Sequence, residues 1–180
     1  MSKYPLLRQP GPDEPLTVKI HGYHTTLTDN WLSIRRTGLI PGRSKPSGQD
    51  WLGRWSGKGI YYHQRLPEHE IDSSFDTDTG EPTSLTIEVE FNIPPGYVVP
   101  DEDSGLSPDE ALKALHGGDA IAVGYPVKPA YFTTVHLADT PAARQWAAEN
   151  VRHKVEFHPV GFRAKVARVV ARHLASLSRP

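Results

Sequence analysis

Apolar and polar positions alternate most regularly between Leu85 and Phe91, where Leu85, Ile87, Val89 and Phe91 are separated by Thr86, Glu88 and Glu90. A period of two predicts a strand with one buried face. Thr17–Tyr23 alternates well enough for an earlier strand, Gly59–His63 reads as a short one, and Asp119–Gly124 and Ala130–Leu137 read as two more. Helical spacing sets in after Thr28 and Asp29, either of which can cap. Trp31, Leu32 and Ile34 supply an apolar stripe, and Gly38 stands where a left-handed closing residue is wanted. Ser107-Pro108-Asp109-Glu110 is a capping box with proline at the first helical position, which predicts a short helix to about Leu115. Thr140-Pro141 opens a helix to about Asn150. Val166, Val169, Val170, Leu174 and Leu177 keep helical spacing in a final amphipathic helix. Strands in the middle, helices early and late, and no internal repeat predict an α+β fold.

The connections carry their own signal. Residues 1–15 are rich in proline and polar groups and read as an extended N-terminal arm. Residues 41–57 hold Trp51, Trp55, Arg43, Lys45 and Arg54, and the segment is long for a mere connector. Long loops in compact domains are often lids or binding loops. Gln64–Ser84 is polar and acidic, with a turn expected at Asp78-Thr79-Gly80.

At 180 residues and 20.0 kDa the chain suits one domain with a real core. With 37% hydrophobic and 23% charged residues it reads as soluble and globular. No apolar stretch reaches membrane-spanning length, and the N-terminus lacks a signal-peptide core. Cysteine is absent, which removes disulfides, thiolate nucleophiles and cysteine-bound metals together. The expected location is the cytoplasm, or a host cytosol reached without a cleaved signal peptide. The net charge of −1 conceals an asymmetry. From Val151 to Pro180 seven basic residues face Glu156 alone, a net of +6, while the remainder has 13 basic and 20 acidic residues, a net of −7. Such a tail offers a contact to nucleic acid, although a solvated scaffold helix is the commoner use of a basic face.

Two segments carry the chemistry. Tyr23-His24-Thr25-Thr26 is followed, fourteen residues after His24, by Gly38-Leu39; the other segment is Gly57-Lys58-Gly59-Ile60-Tyr61. A histidine leaving a short apolar run, a helix closed by Gly-Leu, a loop and a glycine-rich strand ending in tyrosine resemble the NAD-binding half of the ADP-ribosyltransferases. The likeness is to the poly(ADP-ribose) polymerase and diphtheria-toxin branch, whose first strand typically ends His-Gly-Ser/Thr and whose second reads Gly-Lys-Gly-Ile-Tyr. It covers about residues 17–137. It implies a split antiparallel sheet core over residues 16–138, with residues 139–180 as a basic helical extension packed on it. The activity implied is mono-ADP-ribosyl transfer from NAD, as co-substrate and without a metal, to a protein, nucleic-acid or small-molecule acceptor, with release of nicotinamide.

That reaction passes through an oxocarbenium-like ribose. It calls for a hydrogen-bond donor to ribose, an aromatic face against nicotinamide and a carboxylate near the 2′-hydroxyl. By resemblance His24 bonds ribose, Thr25 and Thr26 hold the carboxamide, and Tyr61 stacks. Thr25 stands where the family has glycine. Gly59 lets backbone pass close to the ligand, and Arg43 in the long loop meets the pyrophosphate. His21, followed by Gly22, is a rival for the role of His24, three residues too far from the helix. Tyr62 points to the opposite face from Tyr61, so one of the two belongs to the core.

The acid is less well marked. The family places glutamate at the head of the fifth strand, where this chain has Asp119; one residue further on stands Ala120, which leaves no acid. Asp101-Glu102-Asp103 is a second source. Val135-His136-Leu137 resembles a motif of the RNA 2′-phosphotransferase branch, though it comes late in the chain. A catalytically silent NAD- or ADP-ribose-binding module is the reading from another class. His63, Glu68, His69 and Glu70 fit no recognised metal-ligand spacing.

Overall fold

In the computed structural model, residues 4, 6–41, 59–101 and 104–161 are described. The 41–57 loop beyond Pro41, Arg43, Glu102, Asp103 and the expected final helix lie outside them. The fold is α+β, as the patterning predicts, with two sheets. Chain order is β1 (Val18–Leu27), α1 (Trp31–Thr37), β2 (Ile60–Tyr62), α2 (Glu68–Asp72), β3 (Ser84–Ile93), β4 (Val98–Pro100), α3 (Ala111–Gly117), β5 (Ile121–Val123), β6 (Phe132–Ala138), α4 (Pro141–Asn150) and β7 (Lys154–His158). One sheet runs β1-β3-β6-β7 and the other β2-β5-β4.

The described residues cluster into two compact units. One takes in residues up to His24 with Ser33–Leu66 and Glu88–Phe132; the other takes in Thr25–Leu32, Pro67–Ile87 and the chain from Thr133 onward.

In the first unit β2, β5 and β4 pair antiparallel, with Tyr61 and Val99 both opposite Ala122. Their side chains are buried except for the half-buried Tyr61. A sheet covered on both faces leaves no alternation to read, which is why β4 escapes a period-two search. Tyr23 and His63 exchange backbone hydrogen bonds of 2.9 Å each, tying β1 to the exit of β2. Outward-facing Lys19 and His21 meet Glu90 and Glu88 at 2.7 Å, a cross-strand ion pair and a cross-strand polar contact on the wet face. The N-terminal arm is anchored here. The Leu7 amide donates to the Gly96 carbonyl at 2.8 Å, and the buried Arg8 guanidinium grips both oxygens of Glu14 at 2.8 Å while its Nε donates to the Val98 carbonyl at 3.0 Å. A bidentate pair of this kind satisfies a charge that burial would otherwise penalise heavily.

Gly38 closes α1 at φ 80°, as its position predicts, and Leu39 then exchanges 2.9 Å backbone bonds with Val127. The expected cap at the start of α1 takes another form. A 3-10 turn over Thr28–Asn30 leads in, and the Thr28 hydroxyl donates to the Pro82 carbonyl at 3.0 Å instead of capping. The capping box at Ser107 is present, opening a 3-10 turn that runs into α3.

In the second unit Trp31 is 1% exposed and its indole N–H donates to the Asn150 carbonyl at 3.0 Å. Ile71, Phe75, Leu85, Ile87, Val135 and Leu137 complete a buried apolar set. α4 starts on Thr140, whose hydroxyl accepts from the Ala143 amide and donates to the Gly80 carbonyl. β7 pairs parallel with β6, an edge strand that the patterning does not announce. Arg144 on α4 holds Asp139 at 2.7 Å and lies 4.4 Å over the Phe157 ring. That hydrogen bond keeps the Asp139 carboxyl below its usual range. Among the described residues no helix is long and apolar enough to cross a membrane.

Candidate active site

His24 lies within β1, which runs on to Leu27 instead of ending at the histidine as the motif implies, next to the Tyr23–His63 bridge at the exit of β2. Its ring Nδ1 lies 2.9 Å from the Tyr61 carbonyl oxygen. A carbonyl only accepts, so Nδ1 carries the proton, and in the neutral ring Nε2 is an acceptor and not the ribose donor that the sequence leads one to expect. Two of the three residues expected to carry the chemistry are thus brought together by a contact that also fixes the histidine tautomer.

Of the tyrosine pair, Tyr62 is the core member. It is 1% exposed, its ring lies 6.3 Å from Phe91 and 5.8 Å from His24, and its hydroxyl is buried with no hydrogen-bond partner among the described residues. Burial pushes its ionisation well above the usual tyrosine range. Tyr61 faces the other way and is half-buried, the disposition a stacking residue needs. Replacing Tyr62 with phenylalanine removes an unsatisfied buried polar group and is expected to leave stability unchanged or raise it by about 1 kcal/mol. Because the raised ionisation disfavours the folded state only at high pH, the wild type should lose stability as pH climbs past about 10, and the variant should lose less. Urea unfolding at pH 7 and above pH 10 reads both effects.

The other expected positions resolve as follows. The Thr25 hydroxyl shares a 2.9 Å hydrogen bond with the Thr86 hydroxyl on β3, and Thr26 accepts from the Asn30 side chain at 3.2 Å. At Gly59 a Cβ would fall 3.0 Å from the Ala122 Cβ, so close packing of the strand on β5 explains the glycine without a ligand. Asp119 is exposed and sits two residues ahead of β5, following Gly118 at φ 76°. Its carboxylate folds back over Gly117, where a Cβ would fall 2.9 Å from Oδ2. Continuing the β2–β5 register by two residues sets Asp119 level with Gln64, beyond the Tyr61 rung. Asp101 is half-buried at the exit of β4, and its amide donates to the Ala120 carbonyl at 2.9 Å. Both candidate acids therefore cluster at one end of the three-stranded sheet.

An open cleft of about 650 Å³ lies at that same end of the first unit, lined by Lys19, His21, Gln64, Arg65, His116 and Gly118 among others. It adjoins His21, on the outward face of β1, rather than His24. His21 is already engaged by Glu88 at 2.7 Å and meets the Tyr23 ring edge-on at 5.3 Å. The buried Nε2 of Gln64 has no hydrogen-bond partner among the described residues. The motifs give no weight to Gln64 and Arg65, and their position three and four residues after Tyr61 is the signal that could have found them.

No protein-family model and no curated protein matches the chain. It is similar to a solved structure of Thermosipho africanus DarTG in complex with ADP-ribose, at 11% identity and a TM-score of 0.41. The likeness covers 77% of this chain and 49% of that one, so the chain spans about half the length of that protein. At that score it is a coarse likeness of fold.

His136, from the phosphotransferase-like motif, is 4% exposed in β6 and contacts His158 and Glu156 in the second unit.

Proposed function

We propose that the chain is an NAD-dependent ADP-ribosyltransferase whose donor site is built around His24 and Tyr61. The observation that carries this reading is the 2.9 Å hydrogen bond from His24 Nδ1 to the Tyr61 carbonyl. It joins the two motifs that the resemblance singles out and holds the histidine in the tautomer whose Nε2 is an acceptor. The half-buried Tyr61 ring supplies a face for nicotinamide, worth roughly 0.5–1.5 kcal/mol beyond burial. In the reaction the bond between nicotinamide and ribose C1 breaks, and nicotinamide leaves with the electron pair. The acceptor nucleophile forms the new bond to C1 and gives its proton to a carboxylate, for which Asp119 is the first candidate. Arg43 and the rest of its loop are assigned the pyrophosphate, and the location proposed is the cytoplasm.

Asp119 also favours a second reading. Its exposure and its place beyond the Tyr61 rung suit a binding module that holds NAD or ADP-ribose without turning it over. The experiment that separates the two is calorimetric titration with NAD alongside a nicotinamide-release assay. Transfer predicts both signals and a binder only the first. His24→Ala is expected to weaken NAD binding about 2- to 10-fold, the loss of one hydrogen bond worth roughly 0.5–1.5 kcal/mol net. Unchanged affinity in a folded variant would remove His24 from the site.

A further inference from the structure

β6 and β7 run parallel with His136 opposite Glu156 and Ala138 opposite His158. Opposed residues share a sheet face, as do residues two apart along a strand, so His136, Glu156 and His158 all project from the same face. His136 Nδ1 lies 2.9 Å from His158 Nε2 and 3.6 Å from Glu156 Oε2, and one ligand atom from each of the three falls within 4.8 Å of the others. A tetrahedral ion with bonds of about 2.0–2.1 Å holds its ligand atoms roughly 3.3 Å apart. That value lies between the two measured separations.

We propose that His136, Glu156 and His158 form a binding site for a divalent transition-metal ion, Zn²⁺ before others, with a fourth position open to water. Two imidazoles and one carboxylate are borderline donors that suit zinc, and three protein ligands are the number that leaves an open position. The ligands stand on strands rather than loops, and His136 is buried at 4% exposure, so two elements set their spacing in advance. Lys154 holds Glu156 through Oε1 while Oε2 faces His136, the role an outer hydrogen bond plays in aiming a metal ligand. Bound metal would fasten β7, a half-buried edge strand of five residues, onto β6. The sequence signal is Glu156-x-His158, a spacing of two that means nothing on a helix and places both side chains on one face of a strand. The site is independent of the NAD reading, and no step of that reaction uses it.

Without metal the same three side chains make a hydrogen-bonded cluster, in which one ring N–H is donated between the two imidazoles. The test distinguishes these states. The full chain, carrying no added histidines, is stripped with chelator and titrated with ZnCl₂ by calorimetry at pH 7.5, and its thermal midpoint is followed with and without the ion. One equivalent of Zn²⁺ should bind and raise the midpoint. Because imidazoles must be deprotonated to ligate, affinity should fall at least about tenfold between pH 7.5 and pH 5.5. His158→Ala and Glu156→Gln change half-buried positions that should tolerate substitution, and each should weaken binding by roughly tenfold or more. An absence of saturable binding would overturn the proposal. So would binding that the His158→Ala/Glu156→Gln double variant leaves unchanged, because the ion would then sit on other histidines.

Discussion

Gly38→Ala should cost the protein a large part of its stability. Gly38 sits at φ 80°, where a side chain costs about 1–3 kcal/mol in strain. The added Cβ would also fall 2.1 Å from the Val127 carbonyl oxygen, a backbone atom with no rotamer to escape by. Relieving that clash means moving Val127, which carries both 2.9 Å backbone bonds to Leu39, for a further cost of roughly 1–3 kcal/mol. At about 2–4 °C per kcal/mol for a chain of this size, the thermal midpoint should drop by roughly 4–24 °C. A midpoint within a degree or two of wild type would mean that α1 does not end in the left-handed turn described.

The larger functional effect is expected at Asp119. A carboxylate that takes the acceptor's proton and supports the ribose cation acts in the transition state, so its removal lowers turnover and spares ground-state binding. Asp119→Ala should reduce ADP-ribosyl transfer by about 10²- to 10⁴-fold while NAD affinity changes little. Its exposed place on the lead-in to β5 should let the variant fold normally. Equal turnover in mutant and wild type would move the role to Asp101, which sits at the same end of the sheet, to Asp103, or to no acid at all; activity lost in Asp101→Asn would select the first.

Much of the fold is legible in the chain because single-sided burial leaves a periodic trace. Leu85, Ile87, Val89 and Phe91 are all buried, as their alternation demands, and Gly38 and Ser107 mark helix ends through local chemistry that tertiary packing does not override. β4 is invisible for the opposite reason: its three buried residues end in proline and resemble any short apolar run. β7 is half-buried along most of its length, so its pattern is faint. At the site, the His24–Tyr61 pairing follows from motif order, since both strands enter the same region of one unit. The place of Asp119 does not follow. The motif expects the acid at the head of the fifth strand, and β5 begins only at Ile121, two residues past the aspartate. The His136–Glu156–His158 cluster is hidden because His136 stands 20 and 22 residues before its partners, on a strand that only the parallel pairing of β6 and β7 brings to them.

The central claim is that a donor site at His24 and Tyr61 binds NAD and releases nicotinamide from it. Its most direct test is titration of the folded chain with NAD labelled in the nicotinamide ring, with bound and free nicotinamide measured together. Saturable binding and time-dependent release of free nicotinamide are expected, both reduced in His24→Ala and Tyr61→Ala variants whose thermal midpoints match wild type. Failure of the folded protein to bind NAD, or binding and release that both variants leave intact, would contradict it.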